Sequence, residues 1–121
     1  MSKILIYHNP RWGKSRESVK ILENSDYEYE TIDYINSPPS QSELQTLADK
    51  MGIRAKDFIR SRESEFKEFN LKAYIDDDAT LFKYMSENPK LIERPIIEYK
   101  ETAVIGRPIE NLYDFLKNIK P

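Results

Sequence analysis

The chain has 121 residues, of which 39% are hydrophobic and 33% are charged, and this is enough for one domain with a single core. Its 19 basic and 21 acidic residues give a net charge of −2, which argues against nucleic-acid binding because that function needs a basic face. The absence of cysteine excludes thiol redox chemistry, disulfides and cysteine-ligated zinc, and the single histidine makes a metal site unexpected.

No apolar stretch approaches the roughly 20 residues that a membrane-spanning helix needs. The first residues lead directly into a predicted strand, without the pattern of a signal peptide. We therefore expect a cytoplasmic protein that does not associate with membranes. Because no linker, repeat or low-complexity segment interrupts the chain, we expect one domain over residues 1–121.

Strand and helix patterns alternate at the start of the chain. The apolar run at residues 3–7 predicts a strand, apolar spacing predicts a helix over residues 14–23, and alternation predicts a second strand over residues 28–33. A strand–helix–strand unit of this spacing is normally parallel and right-handed.

A block of helices is predicted next, at about residues 40–90. Ser40 and Glu43 have the spacing of a capping box, and Gly52 is a typical C-terminal stop for the helix that they begin. The remainder of the block, residues 54–88, is predicted to be helical with short breaks. Its last helix is preceded by three aspartates at residues 76–78, which suit a helix N-terminus.

The chain is predicted to end in two strands and a helix. The strands cover residues 95–99 and 103–105, with a polar turn at Lys100 and Glu101, and Pro108 suits the first turn of the last helix. The predicted fold is therefore α/β, a small mixed four-stranded sheet of order β-α-β…β-β-α with the helical block inserted.

The most informative segment joins the first strand to the first helix and reads His8-Asn9-Pro10-Arg11-Trp12-Gly13-Lys14-Ser15. A loop in this position directs backbone N–H groups and the positive end of the helix dipole at one place. Such a place can hold an anion or lower the pKa of a thiol.

This segment resembles the active-site loop of the glutaredoxin-dependent arsenate reductases, the ArsC family of thioredoxin-like proteins, which reads His-Asn-Pro-x-Cys-Gly-x-Ser. Every fixed position matches except the catalytic cysteine, which is Trp12 here. The resemblance continues, in the same order and at family spacing, through segments along the chain: Asn36-Ser37-Pro38-Pro39-Ser40, Met51-Gly52-Ile53, Ile59-Arg60, Glu87-Asn88-Pro89, Leu91-Ile92-Glu93-Arg94-Pro95-Ile96 and Gly106-Arg107-Pro108.

The resemblance implies an oxyanion site. Arg60, Arg94 and Arg107 occupy the positions of the arginines that bind arsenate in the family, and three guanidinium groups suit a tetrahedral oxyanion. One of the three is expected on a helix and two beside the last strands. The sequence spacing alone does not show that they converge, and an arginine taken singly is more often a surface or ion-pairing residue.

The loop residues have implied roles as well. In the family, the residues matching His8 and Ser15 help to stabilise the thiolate; the alternatives are a solvated loop residue for His8 and a helix cap or first-turn residue for Ser15. Asn9 and Gly13 are expected to serve loop geometry. Pro95 matches a cis proline that faces the active loop in thioredoxin-like proteins.

Trp12 has three explanations: a natural loss of the nucleophile, an engineered substitution, or an error at one base, since Cys and Trp codons differ by a single nucleotide. An indole cannot attack arsenate, and the N–H group only donates hydrogen bonds. Because the reduction needs a sulfur that forms mixed disulfides, the chain as written is predicted to be inactive.

The primary functional hypothesis is therefore that the chain descends from an arsenate reductase and has lost the activity, which makes it a pseudoenzyme of that family. The expected ligand is arsenate or a similar oxyanion, and the reductants of the family are glutathione and glutaredoxin. We expect no bound cofactor, and we expect the chain to be a monomer.

The alternative is a non-catalytic oxyanion- or protein-binding module. A regulator similar to the Spx proteins is less well supported, because the loop lacks their Cys-x-x-Cys switch and the chain lacks their C-terminal extension.

Overall fold

The computed structural model describes residues 3–9 and 13–119, without the side chain of Lys14. The strands are β1 (Ile4–His8), β2 (Tyr29–Asp33), β3 (Ile96–Tyr99) and β4 (Thr102–Ile105), and the helices are α1 (Gly13–Glu23), α2 (Gln41–Met51), α3 (Ser64–Glu68), α4 (Asp78–Glu87) and α5 (Glu110–Asn118). Short 3₁₀ segments lie at Ala55–Asp57, Leu71–Tyr74 and Pro89–Leu91. The chain forms two compact units, the first from Met1–Tyr34 and Arg94–Pro121 and the second from Ile35–Glu93.

The first unit contains a four-stranded sheet in the order β2-β1-β3-β4. β1 and β2 are parallel, whereas β3 pairs antiparallel with both β1 and β4. The predicted mixed sheet and its element order are confirmed. The second unit coincides with the helical block predicted at about residues 40–90.

One face of this sheet carries the core of the first unit. Successive side chains of a strand point to opposite faces, and the register that pairs Ile6 with Ile97 places both on the same face. The core on this face comprises Ile4, Ile6, Leu22, Ile97, Tyr99, Leu112, Phe115 and Ile119. The rings of Tyr27 and Tyr99 meet edge to face with centroids 5.7 Å apart, an arrangement that aromatic pairs favour. Helices α1 and α5 therefore both contribute apolar side chains to this face.

The opposite face carries a buried polar pair that the sequence pattern does not predict. The Tyr7 hydroxyl donates a hydrogen bond to Glu98 Oε1 at 2.9 Å. Both residues are buried, and a buried carboxylate is tolerated only when it is hydrogen bonded. This pair joins β1 to β3, one residue before β1 ends at His8.

The second unit is built from helices whose ends match their sequence signals. Ser40 accepts a hydrogen bond from the Glu43 N–H, and the Glu43 carboxylate accepts one from the Ser40 N–H, which confirms the capping box of α2. Gly52 ends α2 in the left-handed conformation, with φ of 69°. The Asp77 side chain caps α4. Fully or nearly fully buried apolar side chains fill the unit, among them Leu44, Leu47, Phe58, Leu81, Phe82 and Met85.

Two local predictions are wrong. Ile59 lies within residues 54–88, which were predicted to be helical with short breaks, but it forms an antiparallel bridge with Ile92. Local spacing does not reveal this pairing, because the two residues are distant in sequence. Pro108 was expected in the first turn of the last helix, but α5 begins at Glu110 and Ile109 precedes it as the N-cap. The Pro108 carbonyl instead accepts a turn hydrogen bond from the Asn111 N–H at 2.9 Å.

Candidate functional site

Several of the predicted site residues lie at one end of the sheet in the first unit, and we call this end the loop edge. β1 ends there at His8, beside Asp33 at the end of β2. β3 begins there and β4 ends there, because Ile96 pairs with both Tyr7 and Ile105. Helix α1 starts at Gly13, so its N-terminal end is only a few residues along the chain from His8, where β1 ends.

His8 is the last residue of β1 and is buried, with 8% of its surface exposed. The alternative of a solvated loop residue is therefore wrong. Burial lowers the pKa of the His8 imidazole; the Asp33 carboxylate acts in the opposite direction, and the Arg16 guanidinium adds to the lowering. Among the residues that the structure describes, Nδ1 of His8 has no hydrogen-bond partner. His8 is thus held in a site that favours the neutral ring.

Ser15 lies in the first turn of α1 and is 1% exposed. Its Oγ makes no hydrogen bond within the described ranges, so the structure gives no support there for a capping role. Gly13 is the first residue of α1, where an added Cβ would lie 3.7 Å from Arg16 Nη2, an ordinary contact. The expected roles of Ser15 at a thiolate and of Asn9 and Gly13 in loop geometry remain predictions.

Arg94 and Arg107 occupy facing positions at the loop edge. The Gly106 N–H donates to the Pro95 carbonyl at 2.8 Å, which continues the β3–β4 pairing by one residue. Arg94 precedes Pro95 and Arg107 follows Gly106, so the two arginines lie opposite each other on the two adjacent segments. Arg94 is 3% exposed, whereas Arg107 is exposed. Two of the three arginines are therefore brought to one end of one sheet.

The peptide bond between Arg94 and Pro95 is cis, which confirms the expectation from the resemblance. A second cis bond joins Arg107 to Pro108 and was not expected.

Arg60 belongs to the second unit and is not on a helix, contrary to the sequence prediction. It follows the bridge residue Ile59, and its N–H donates to the Leu91 carbonyl at 2.7 Å. Its guanidinium is 2.8 Å from Glu63 Oε1 and 3.9 Å from Glu93 Oε1, and its side chain is 17% exposed. The charge of Arg60 is thus balanced by two carboxylates, and convergence of all three arginines on one anion remains a prediction.

Trp12, with Pro10 and Arg11, lies outside the described residues. The amino-acid sequence nevertheless decides the chemistry of this position, because the whole chain has no cysteine. In the described part of the chain, no group of three or more His, Asp or Glu side chains is placed to hold a metal ion. No helix within the described ranges has the length and apolar character needed to cross a membrane.

A groove of about 570 Å³ lies elsewhere in the first unit, between the β3–β4 hairpin and α5. Its lining includes Tyr99, Phe115 and Asp114. The hairpin is at the end of the sheet opposite His8, and the lining contains none of the predicted site residues. The groove is therefore separate from the loop edge.

Sequence reasoning missed two charged residues that act on His8. Asp33 is its register neighbour on β2, and Arg16 lies one residue after Ser15 on α1. A signal for Arg16 was present, because a long side chain on a helix extends over the turn that precedes it. No comparable signal existed for Asp33, since its proximity to His8 depends on strand register.

The profile of the ArsC family matches residues 7–115 of this chain. The chain belongs to the ArsC family. An arsenate reductase of Haemophilus influenzae is 39% identical over 114 residues, which cover 93% of this chain and 98% of that protein. An arsenate reductase of Neisseria meningitidis serogroup B is 37% identical over 114 residues, covering 93% and 97%.

The solved structures agree with the ArsC assignment. The arsenate reductase from Vibrio cholerae superposes with a TM-score of 0.87 at 38% identity, over 93% of this chain and 97% of that one. The matched region of the ArsC profile includes the loop from His8 to Ser15 and the arginine positions 60, 94 and 107. This chain is therefore an ArsC protein with tryptophan at the position of the family nucleophile.

Proposed function

We propose that this ArsC protein descends from an arsenate reductase, binds a tetrahedral oxyanion at the loop edge, and does not reduce arsenate as written. One observation carries the proposal: the family match is continuous over residues 7–115, yet the chain has no cysteine and carries Trp12 in the catalytic position. Reduction of arsenate to arsenite consumes two electrons, which thiols supply through mixed disulfides. An indole cannot take part in that exchange.

Several residues to which the resemblance gives a role around the nucleophile are still present in the chain. The N-terminus of α1 presents N–H groups and positive dipole charge to an anion, and Arg94 and Arg107 flank the facing ends of β3 and β4. With cysteine at position 12, the thiolate would attack the arsenic atom and displace water. Glutathione and glutaredoxin would then resolve the adduct, releasing arsenite and leaving glutathione as its disulfide. In that form His8 and Ser15 would stabilise the thiolate.

The test compares the unaltered chain with Trp12→Cys and with Trp12→Ser, which matches the size of cysteine but has no thiol. Arsenate reduction is measured with glutathione, glutaredoxin and an NADPH-coupled glutathione reductase. We expect turnover only from Trp12→Cys, with the other two proteins at the level of the no-protein control. Turnover by the unaltered chain would show that another residue is the nucleophile.

A second measurement tests the electrostatics of the loop without relying on turnover. The Trp12→Cys thiol should titrate below the free value of about 8.5, because position 12 directly precedes α1 in sequence and the proposed site places arginines around it. Thiolate absorbance against pH gives the value directly. An ordinary titration would show that the loop is not electropositive.

The alternative function is a non-catalytic oxyanion- or protein-binding module. Buried polar groups at the loop edge favour it, since His8 and Ser15 remain buried although the nucleophile is absent. An outward-facing Trp12 would add an exposed aromatic ring, which is typical of protein interfaces. Because Trp12 is the only tryptophan, iodide quenching reports its exposure: strong quenching supports a protein-binding surface, and a blue-shifted, unquenched emission supports an occluded cleft.

The proposal also includes a monomeric protein, glutaredoxin as the partner of a cysteine-containing form, and a cytoplasmic location. The family reaction supports this location, because the glutathione that it consumes keeps thiols reduced in the cytosol. A regulator of the Spx type lacks a supporting observation, since this loop has no cysteine pair to act as a switch.

A further inference from the structure

β4 is the outermost strand of the sheet, and its outer edge has no partner strand among the described residues. In an antiparallel pair, residues that hydrogen bond to the partner strand alternate with residues whose backbone groups point away from it. The Gly106 N–H donates to the Pro95 carbonyl, so the next residue that bonds to β3 is Val104. Ala103 and Ile105 therefore direct their backbone N–H and C=O groups out of the sheet.

Helix α5 already bonds to this outer edge at one point. The Asn111 side chain donates a hydrogen bond to the Ile105 carbonyl at 3.1 Å, which requires that carbonyl to point away from β3. α5 therefore lies beside the open edge. Ala103, two residues before Ile105, presents a further N–H and C=O to the same side.

The groove of about 570 Å³ extends along this edge. Its lining includes three consecutive residues of the hairpin, Thr102, Ala103 and Val104, whose side chains alternate between the two faces of the sheet. A cavity confined to one face would meet only every second side chain, so the groove reaches the edge itself. An open strand edge is the feature to which an extended peptide adds as a new strand.

The wall that α5 contributes combines an apolar surface with a carboxylate. Four residues of α5 line the groove together: Asn111, Asp114, Phe115 and Asn118. Their spacing of three and four residues places them on one face of the helix. Phe115 is buried, whereas Asp114 is exposed. The apolar stem of a lysine or arginine can thus cover the Phe115 ring while its charge reaches the Asp114 carboxylate.

The charge of the groove favours a positively charged occupant. Its charged lining residues are one lysine and two acids, Lys100, Glu101 and Asp114. The Lys100 ammonium lies 5.2 Å from the centroid of the Tyr99 ring, a cation–π contact at the turn of the hairpin. Because the acidic groups outnumber the basic one, a cationic peptide is attracted to the groove.

We propose that the groove between β4 and α5 binds an extended, positively charged segment of a partner protein, which adds a fifth strand to the sheet beside β4. β4 has four residues, and a segment of similar length pairs with it. The backbone of the segment bonds to Ala103 and to the Ile105 N–H, and a central lysine or arginine pairs with Asp114. The site is separate from the loop edge, so this inference goes beyond the anion chemistry proposed there.

The probe is a fluorescein-labelled peptide with blocked ends and the sequence Thr-Val-Lys-Val-Thr. One matched peptide has glutamate in place of the lysine, and another carries N-methyl groups on the amides of its central residues. Fluorescence anisotropy measures binding at about 0.15 M salt, where exposed charges more than about 8 Å apart are largely screened.

Variants of α5 test the charge. Asp114→Asn removes it and Asp114→Lys reverses it, while Glu110→Gln is the matched control, an exposed acidic residue of the same helix outside the lining. We expect Asp114→Asn to weaken binding of the lysine peptide roughly threefold to fivefold, as for an exposed ion pair, and Glu110→Gln to change it by less than about twofold. Asp114→Lys should bind the glutamate peptide more tightly than the unaltered chain does. Thermal unfolding of each variant verifies that the fold is intact.

The N-methylated peptide tests the strand pairing. It should bind at least about tenfold more weakly than its parent, because its amides cannot donate to the edge. Amide hydrogen exchange is a second readout. The lysine peptide should slow exchange at Ala103 and Ile105 and leave Val104, which already bonds to β3, unchanged.

Three results would overturn the inference: no binding of the lysine peptide to the unaltered chain, equal affinity for the lysine and glutamate peptides, or equal affinity for the parent and N-methylated peptides. Protection of the Ala103 amide that rises with protein concentration in the absence of peptide would assign the edge to a second copy of the chain, and would also overturn it. No measurement involves arsenate, so the result does not depend on the proposed reductase ancestry.

Discussion

The single histidine links the loop edge to the pH dependence of stability. Burial lowers the pKa of His8 in the folded protein, so between that value and the unfolded value of about 6.5 the unfolded chain binds more protons. The contribution of neutral His8 is therefore present above pH 6.5 and decreases as the pH falls toward the folded pKa. We expect the free energy of unfolding to decrease from pH 7.5 to pH 5.5.

His8→Gln is the control for this prediction, because glutamine does not titrate. Urea unfolding at a series of pH values should show a smaller slope for His8→Gln than for the unaltered chain in this window. The exposed carboxylates with lowered pKa, Glu65 and Asp77, contribute at more acidic pH and do not interfere. Identical slopes in the two proteins would contradict the predicted role of His8.

Gly106 permits the close approach of β3 and β4 at the loop edge. An added Cβ would lie 2.6 Å from Ile97 Cδ1 and 3.1 Å from Pro95 Cγ, and Ile97 is fully buried. Gly106→Ala should therefore destabilise the protein by about 1–3 kcal/mol, the usual cost of overpacking. Gly13→Ala is the matched control, since its Cβ would make only an ordinary contact. If both variants unfold at the same urea concentration, the close approach is not required.

Among the secondary-structure elements, α2 has the N-terminus with the clearest sequence signal. Ser40→Ala removes the acceptor of the Glu43 N–H and should lower the free energy of unfolding by about 0.5–2 kcal/mol. Ser61→Ala removes an exposed hydroxyl that is not at a helix N-cap and should have an effect within about 0.5 kcal/mol. Chemical denaturation of the two variants provides the measurement. An equal effect of both would mean that the capping box does not stabilise α2.

The elements that could be predicted from the sequence are those with local signals. The ends of α2 depend on Ser40, Glu43 and Gly52, all of which act within one turn of the helix, and the structure confirms them. Ile59 was predicted wrongly because its partner, Ile92, is remote in sequence. The buried pair of Tyr7 and Glu98 was missed for the same reason, since strand register decides it.

In the candidate site, too, contacts between residues distant in sequence could not be predicted from local signals. The resemblance identified His8, Arg94 and Arg107, but only the strand register places them at one end of the sheet. The burial of His8 and its proximity to Asp33 follow from that register and have no local signal. Arg16 is the exception, because the direction of helical side chains alone places it over Gly13.

At the scale of the whole molecule, chain connectivity couples the two compact units. The first unit is discontinuous, and the segment Ile35–Glu93 runs between its two parts, which β1 and β3 hold together by antiparallel pairing. If the second unit unfolded alone, it would become a long flexible loop whose closure costs the first unit roughly 4 kcal/mol. This is a large fraction of the stability of a small domain, so the units should unfold together.

Two probes test whether residues 1–121 behave as one cooperative domain. Trp12 fluorescence serves as the probe of the first unit, because position 12 falls in the sequence range Met1–Tyr34. Far-UV circular dichroism also reports on α2, α3 and α4 of the second unit. Because unfolding of the second unit imposes the closure cost on the first, we expect both signals to change at one urea concentration. Two separate midpoints, with ellipticity lost before the fluorescence changes, would show that the helical insertion unfolds independently and that the single-domain prediction is wrong.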